Sequence, residues 1–170
     1  MAARVSLREY QREFAERLHN AASGGRTASK LGLQVGADGW LVVLADAAEL
    51  LPVPAITPVP LTRPWFKGVT NIRGKLYSVV DFSAFLGGSA VMMGEQARLL
   101  VVGERFRTSC ALLIDRSLGL RNPEQLQLRA ANGAVAPWIK AEYADKDGKA
   151  WKELDLPQLI QNPDFLGVGA

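Results

Sequence analysis

The chain has 170 residues, with 20 basic against 17 acidic side chains, a net charge of +3, and 48% hydrophobic residues. That is enough apolar surface for one domain or two small subdomains, and three surplus charges are too few for the clustered basic stripe of a nucleic-acid-binding protein. One cysteine, Cys110, and one histidine, His19, exclude an intrachain disulfide and a Cys/His zinc site, and they leave poor material for a Ser-His-Asp arrangement.

Along the chain, Ser6-Leu7-Arg8-Glu9 is a capping box: Ser6 caps the first turn and Glu9 reaches back to it. Leu7, Tyr10, Phe14 and Leu18 follow at helical spacing. Glu13 and Arg17 add a favourable pair four residues apart. The helix is expected to end near Asn20, with S-G-G-R-T-A-S as a flexible connector. Its apolar stripe serves either docking onto the rest of the chain or binding a partner. These first thirty residues are charged and show no signal peptide, and no apolar run approaches the roughly 20 residues of a membrane span. The expectation is a cytoplasmic protein without membrane insertion.

From residue 31 the pattern becomes β. L-G-L-Q-V and W-L-V-V-L-A flank G-A-D-G, a strand, a tight turn and a strand. Residues Leu51 to Pro64 hold five prolines, too many for a helix or a central strand. V-T-N-I and K-L-Y-S-V-V-D-F then flank Arg73-Gly74, a hairpin. Hairpin tips favour Asn-Gly or Asp-Gly, because those residues tolerate positive φ. A long cation at Arg73 has no such reason to be there. Gly74 supplies the positive φ, Gly68 permits a close approach of backbone, and Asn71 is placed to bond the turn's own backbone. The loop G-G-S-A-V-M-M-G-E-Q leads to two more strands, A-R-L-L-V-V-G and C-A-L-L-I-D. Cys110 lies in the second of these, as a buried structural thiol.

The last hairpin repeats the earlier one. P-W-F-K-G at Pro64 to Gly68 returns as P-W-I-K-A at Pro137 to Ala141, and G-K-L-Y-S-V-V-D-F-S-A-F-L at Gly74 returns as G-K-A-W-K-E-L-D-L-P-Q-L-I at Gly148. In each copy the second strand runs into a short helix capped by an aspartate, Asp81 or Asp155. Two similar units predict a mainly β fold: a pair of small antiparallel β subdomains related by a pseudo-twofold, with an N-terminal helix (residues 1–30 with its connector) and short capping helices. Trp65 and Trp138 should then occupy equivalent, partly buried sites. The second copy has Asp147-Gly148 at its tip, the favoured chemistry, so Arg73 is where the repeat departs from good turn design.

Glu49-Leu50, the proline-rich connector and W-F-K-G-V-T-N-I-R-G-K-L-Y-S-V-V-D-F together resemble the signature of CheW-like domains. The likeness runs from about Leu31 to Leu159, within a domain taken as residues 31–170. It implies two small five-stranded antiparallel β-barrel subdomains, intertwined around a shared apolar core. It also implies a non-catalytic adaptor, without cofactor or metal, coupling a chemoreceptor's cytoplasmic tip to the regulatory domain of a CheA-type histidine kinase. The N-terminal helical extension resembles the PilI-type branch found in type IV pilus (twitching motility) systems. The resemblance further implies receptor binding through Glu49, Arg73 and Gly68, with Glu49 and Arg73 able to pair. Two positions depart from the family: Ser78 where proline is common, and Ala47 where a β-branched residue is common. Arg73 as a mere solvent-exposed tip cation remains the plainer alternative. Two other classes stay open: a β-barrel nucleic-acid-binding module using its four tryptophans, and an enzyme using Asp81, Asp115 and Asp155 as carboxylates.

Overall fold

A computed structural model of the chain describes residues 29–131 and 133–170. The expected capping box at Ser6, the helix through His19 and most of its connector lie outside the described residues. The strands are β1 (Lys30–Val35), β2 (Asp38–Val43), β3 (Ala47–Pro52), β4 (Phe66–Ile72), β5 (Lys75–Asp81), β6 (Arg98–Val102), β7 (Cys110–Ile114), β8 (Arg116–Arg121), β9 (Gln127–Arg129), β10 (Ile139–Ala144) and β11 (Ala150–Leu154). They form a six-stranded sheet, ordered β8-β1-β2-β11-β10-β9, and a five-stranded sheet, ordered β3-β6-β7-β5-β4.

The mainly β, two-sheet architecture agrees with the repeat, and the two orders correspond over five strands. In each sheet one hairpin (β1–β2, or β6–β7) lies beside the last strand of another (β11, or β5), with an edge strand (β8, or β3) on its far side. The subdomains are intertwined, because the first hairpin of the chain joins the sheet built by the C-terminal half. One contact in each sheet is parallel: β2 with β11 and β5 with β7. The sheets are therefore not purely antiparallel, and β9 gives one of them a sixth strand.

The repeat is visible in hydrogen bonds. Asp81 N–H donates to the Trp65 carbonyl at 2.8 Å, and Asp155 N–H to the Trp138 carbonyl at 2.7 Å. Both aspartates also cap short helices: Asp81 accepts from Ala84 N–H and Asp155 from Gln158 N–H, starting Phe82–Phe85 and Leu156–Gln161. Trp65 and Trp138 are half-buried and flank one ring, Phe85, at 5.2 Å between centroids on either side. The two copies meet there.

Burial explains the long apolar runs. The five-stranded sheet is covered on both faces: Val80, Leu100 and Leu112 point into the core shared with the other sheet, while Val79, Leu99 and Leu113 point into a second cluster closed by Val91. A strand buried on both sides needs no polar alternation. Each such side chain contributes about 1.5–3 kcal/mol relative to exposure. The edge strands β3, β8 and β9 escape the apolar-run criterion for the opposite reason, since all their described positions are at least partly exposed.

Asp115 Oδ2 accepts the Gly36 N–H at 2.6 Å, bracing the β1–β2 turn. One local expectation needs correction. The last hairpin is not closed by a two-residue tip at Asp147-Gly148. Asp145 organises a longer loop, accepting from the N–H groups of Asp147 and Lys149 through Oδ1. The Trp151 indole N–H reaches its Oδ2, and that bond foremost holds the Asp145 carboxyl below its usual range.

Candidate functional site

The site is built from both ends of the five-stranded sheet. β4 and β5 pair from Phe66 with Val80 up to Ile72 with Lys75, leaving Arg73 and Gly74 as the loop. Both have positive φ, +51° and +83°, the pattern of the tight primed turn that matches strand twist. Asn71 Oδ1 accepts the Gly74 N–H at 2.8 Å, so Asn71 stabilises the turn itself. Arg73 is thus held in a left-handed conformation that costs a non-glycine residue about 1 kcal/mol or more.

What stands opposite is Glu49. A register shift in β3 between Ala47 and Glu49 turns its carboxylate toward the tip. Arg73 Nη1 donates to Glu49 Oε2 at 2.7 Å and Nη2 to Oε1 at 2.6 Å. The fork is bidentate, the geometry a guanidinium presents and an ammonium does not. The Arg73 side chain is nevertheless 75% exposed, against 28% for Glu49. Charge and donors are pre-oriented and still open to a partner.

Gly68 shapes the same region from beneath. It is buried, at φ +128°, and a Cβ there would collide with the Thr57 carbonyl. The proline-rich connector crosses it: Thr57 and Val69 exchange hydrogen bonds of 2.8 and 2.9 Å, and Thr70 Oγ1 donates to the Ala55 carbonyl. The connector leaves β3 and returns against β4, tying together the two strands at opposite ends of the sheet. Gly68 therefore presents no surface of its own and acts on the site through the backbone. Its counterpart in the second copy is Ala141, where the same strand irregularity recurs.

Around the pair lie further charges. Lys75 approaches Glu104 at 3.7 Å, and buried Asp46 pairs with the exposed Arg105, whose guanidinium lies over Phe106. Leu76 stands 62% exposed beside them. The sequence carries no signal for the Asp46–Arg105 pair, since A-D-A-A has no distinguishing pattern.

A second polar cluster lies inside the six-stranded sheet. Lys30 Nζ donates to Glu153 Oε2 at 2.7 Å and to Tyr143 Oη at 3.1 Å, and Tyr143 Oη donates to Glu153 Oε2 at 2.9 Å. Burial alone would lower the Lys30 pKa, but the hydrogen bonds to Glu153 and Tyr143 outweigh it and the net shift is upward. The repeat did hold a signal: Glu153 stands where the first copy has buried Val79.

Two alternatives lose their footing. Trp40 and Trp151 are each 1% exposed and cannot stack on bases, and Trp65 and Trp138 are half-buried against Phe85. Asp81, Asp115 and Asp155 are engaged by backbone N–H groups. Cys110 is buried and its thiol is pushed up to about 12, which removes it as a nucleophile.

Residues 30–164 match the family described as CheW-like domain. The chain is a member of the CheW-like family. It is 28% identical over 144 residues to the protein PilI of Pseudomonas aeruginosa, covering 82% of this chain and 79% of that one. Against the chemotaxis protein CheW of Thermotoga maritima it is 31% identical over 108 residues, covering 62% of this chain and 70% of the other. Its fold is that of the scaffolding protein TtCheW of Thermoanaerobacter tengcongensis, with a TM-score of 0.67 at 16% identity over 82% of this chain and 96% of that one. The CheW-like match leaves out residues 1–29, the segment expected from the sequence to be an extension.

Proposed function

We propose that this CheW-like protein is a non-catalytic adaptor that couples the cytoplasmic tip of a chemoreceptor to the regulatory domain of a CheA-type histidine kinase. Its place is the cytoplasm, at receptor arrays, and the likeness to PilI supports a chemosensory system governing type IV pili and twitching motility. The observation that carries the reading is the Glu49–Arg73 pair: a bidentate fork held on a strained turn, with the guanidinium left 75% exposed. Glu49 and Arg73 are assigned to receptor binding, with Gly68 supporting them from below.

The test is a paired titration. Receptor-tip fragment and kinase regulatory domain are each titrated against wild type and Arg73→Glu, with thermal melts as the folding control. Losing one partner of a hydrogen-bonded charge pair that the complex buries costs about 2–5 kcal/mol, or roughly 30- to several-thousand-fold in affinity. Receptor affinity should fall by that factor in a folded variant while kinase affinity holds. Unchanged receptor affinity would reduce Arg73 to a cation on a turn.

A further inference from the structure

The sulfur atoms of the described residues divide into two chemical classes. Cys110 is 5% exposed and its thiol is pushed up to about 12, so almost no thiolate forms near neutral pH. Met92 and Met93 are the only methionines among the described residues, and they are 86% and 58% exposed. They lie on the loop between the helix Phe82–Phe85 and β6. That loop is pinned one residue earlier. Val91 is buried in the second core cluster, and its N–H donates to Asp81 Oδ2 at 2.9 Å while Oδ1 of the same carboxylate caps the helix. Two soft thioethers are therefore held out in water, and the thiol is shut away.

We propose that Met92–Met93 is a modification site whose co-reactant is a peroxide. A sulfur lone pair attacks one peroxide oxygen; the O–O bond breaks and an S–O bond forms. The thioether is oxidised to a sulfoxide and hydrogen peroxide is reduced to water, with solvent relaying the proton. The product is polar where the side chain was apolar, and it can be reduced back enzymatically. Neither methionine belongs to a core cluster, so the fold survives the change. The loop also lies far from the Arg73 tip, because the seven-residue β5 runs between them, about 20 Å end to end at roughly 3.3 Å per step. Oxidation rewrites the far end of the subdomain and leaves the Glu49–Arg73 pair in place.

The experiment exposes the purified full chain to graded hydrogen peroxide and reads peptides by mass spectrometry, alongside thermal melts. Single-oxygen mass gains should come at Met92 and Met93 before any change at Cys110, with melting unchanged, and methionine sulfoxide reductases should reverse them. The double variant Met92→Leu, Met93→Leu should lose those gains and melt like wild type. Prior oxidation of Cys110, unmodified methionines at doses that oxidise free methionine, or unfolding on oxidation would each overturn the proposal. A second arm rests on the adaptor reading and titrates receptor-tip fragment before and after oxidation. Equal affinities are expected; a drop with the fold intact would overturn the claim that the two ends are independent. Absence of binding before oxidation would count against the adaptor reading and leave the chemical arm standing.

Discussion

Glu49 and Arg73 join the two ends of the five-stranded sheet. β3 and β4 are not hydrogen-bonded neighbours in that sheet, yet the carboxylate on one and the guanidinium beside the other meet through two bonds of 2.6 and 2.7 Å. The pair spans a boundary that the backbone also bridges between Thr57 and Val69. Its position makes the cost of the strained turn intelligible.

The turn strain can be separated from the pairing. Asparagine adopts the left-handed conformation more readily than arginine, and an exposed ion pair contributes only about 0–1 kcal/mol. Arg73→Asn should therefore leave stability unchanged or raise it by about 1 kcal/mol while receptor affinity falls. Denaturant titration together with binding reads both; a clear loss of stability would show the pair to be structural.

Gly68 and Ala141 allow a matched comparison. Gly68→Ala puts a methyl into the Thr57 carbonyl at φ +128° and should cost on the order of 3 kcal/mol. Ala141→Gly, at the equivalent irregularity, should cost about 1 kcal/mol or less. Equal losses in chemical denaturation would refute the account of Gly68 as a crossing point.

Lys30 gives a prediction at alkaline pH. Its folded pKa lies above the ordinary 10.5, so folding favours the ammonium. The stabilisation is fully present below 10.5 and is lost as pH rises through the folded value. Stability measured across that window should fall more gently in Lys30→Met than in wild type. Glu153→Ala, which leaves a buried ammonium without its carboxylate, should cost about 3–5 kcal/mol at neutral pH. Identical alkaline slopes in wild type and Lys30→Met would remove Lys30 as the titrating group.

The tryptophan pair tests the repeat. Because Trp65 and Trp138 are half-buried against Phe85, Trp→Ala at either should cost about 3 kcal/mol, the low end for aromatic truncation. The double variant should be non-additive, since both rings share Phe85. Strict additivity would mean that the two sites are energetically separate.

Much was legible in the sequence because its signals were local or duplicated. Turn residues and apolar runs located the central strands; the return of Pro-Trp and of Gly-Lys with a following Asp revealed two equivalent units; and the 24-residue spacing of Glu49 and Arg73 fitted a family motif. Asp81 and Asp155 as caps followed from the same logic, since a cap bonds within its own turn. The edge strands were harder to read, as partly exposed segments carry little apolar signal.

What the sequence by itself determined is the set of strands that form two-sided cores, the duplication, and the unusual arginine on a tight turn. What only the tertiary structure decided is which strands become neighbours and which polar groups meet across them. The first hairpin joins the C-terminal sheet through a parallel contact with β11, the connector crosses Gly68, and Lys30 finds Glu153 across 123 residues of chain. The physical reason is one of range. Periodicity and turn chemistry act over a few residues, whereas these contacts exist only once burial has brought distant segments to the same place, and no residue pattern near either partner encodes the distance between them.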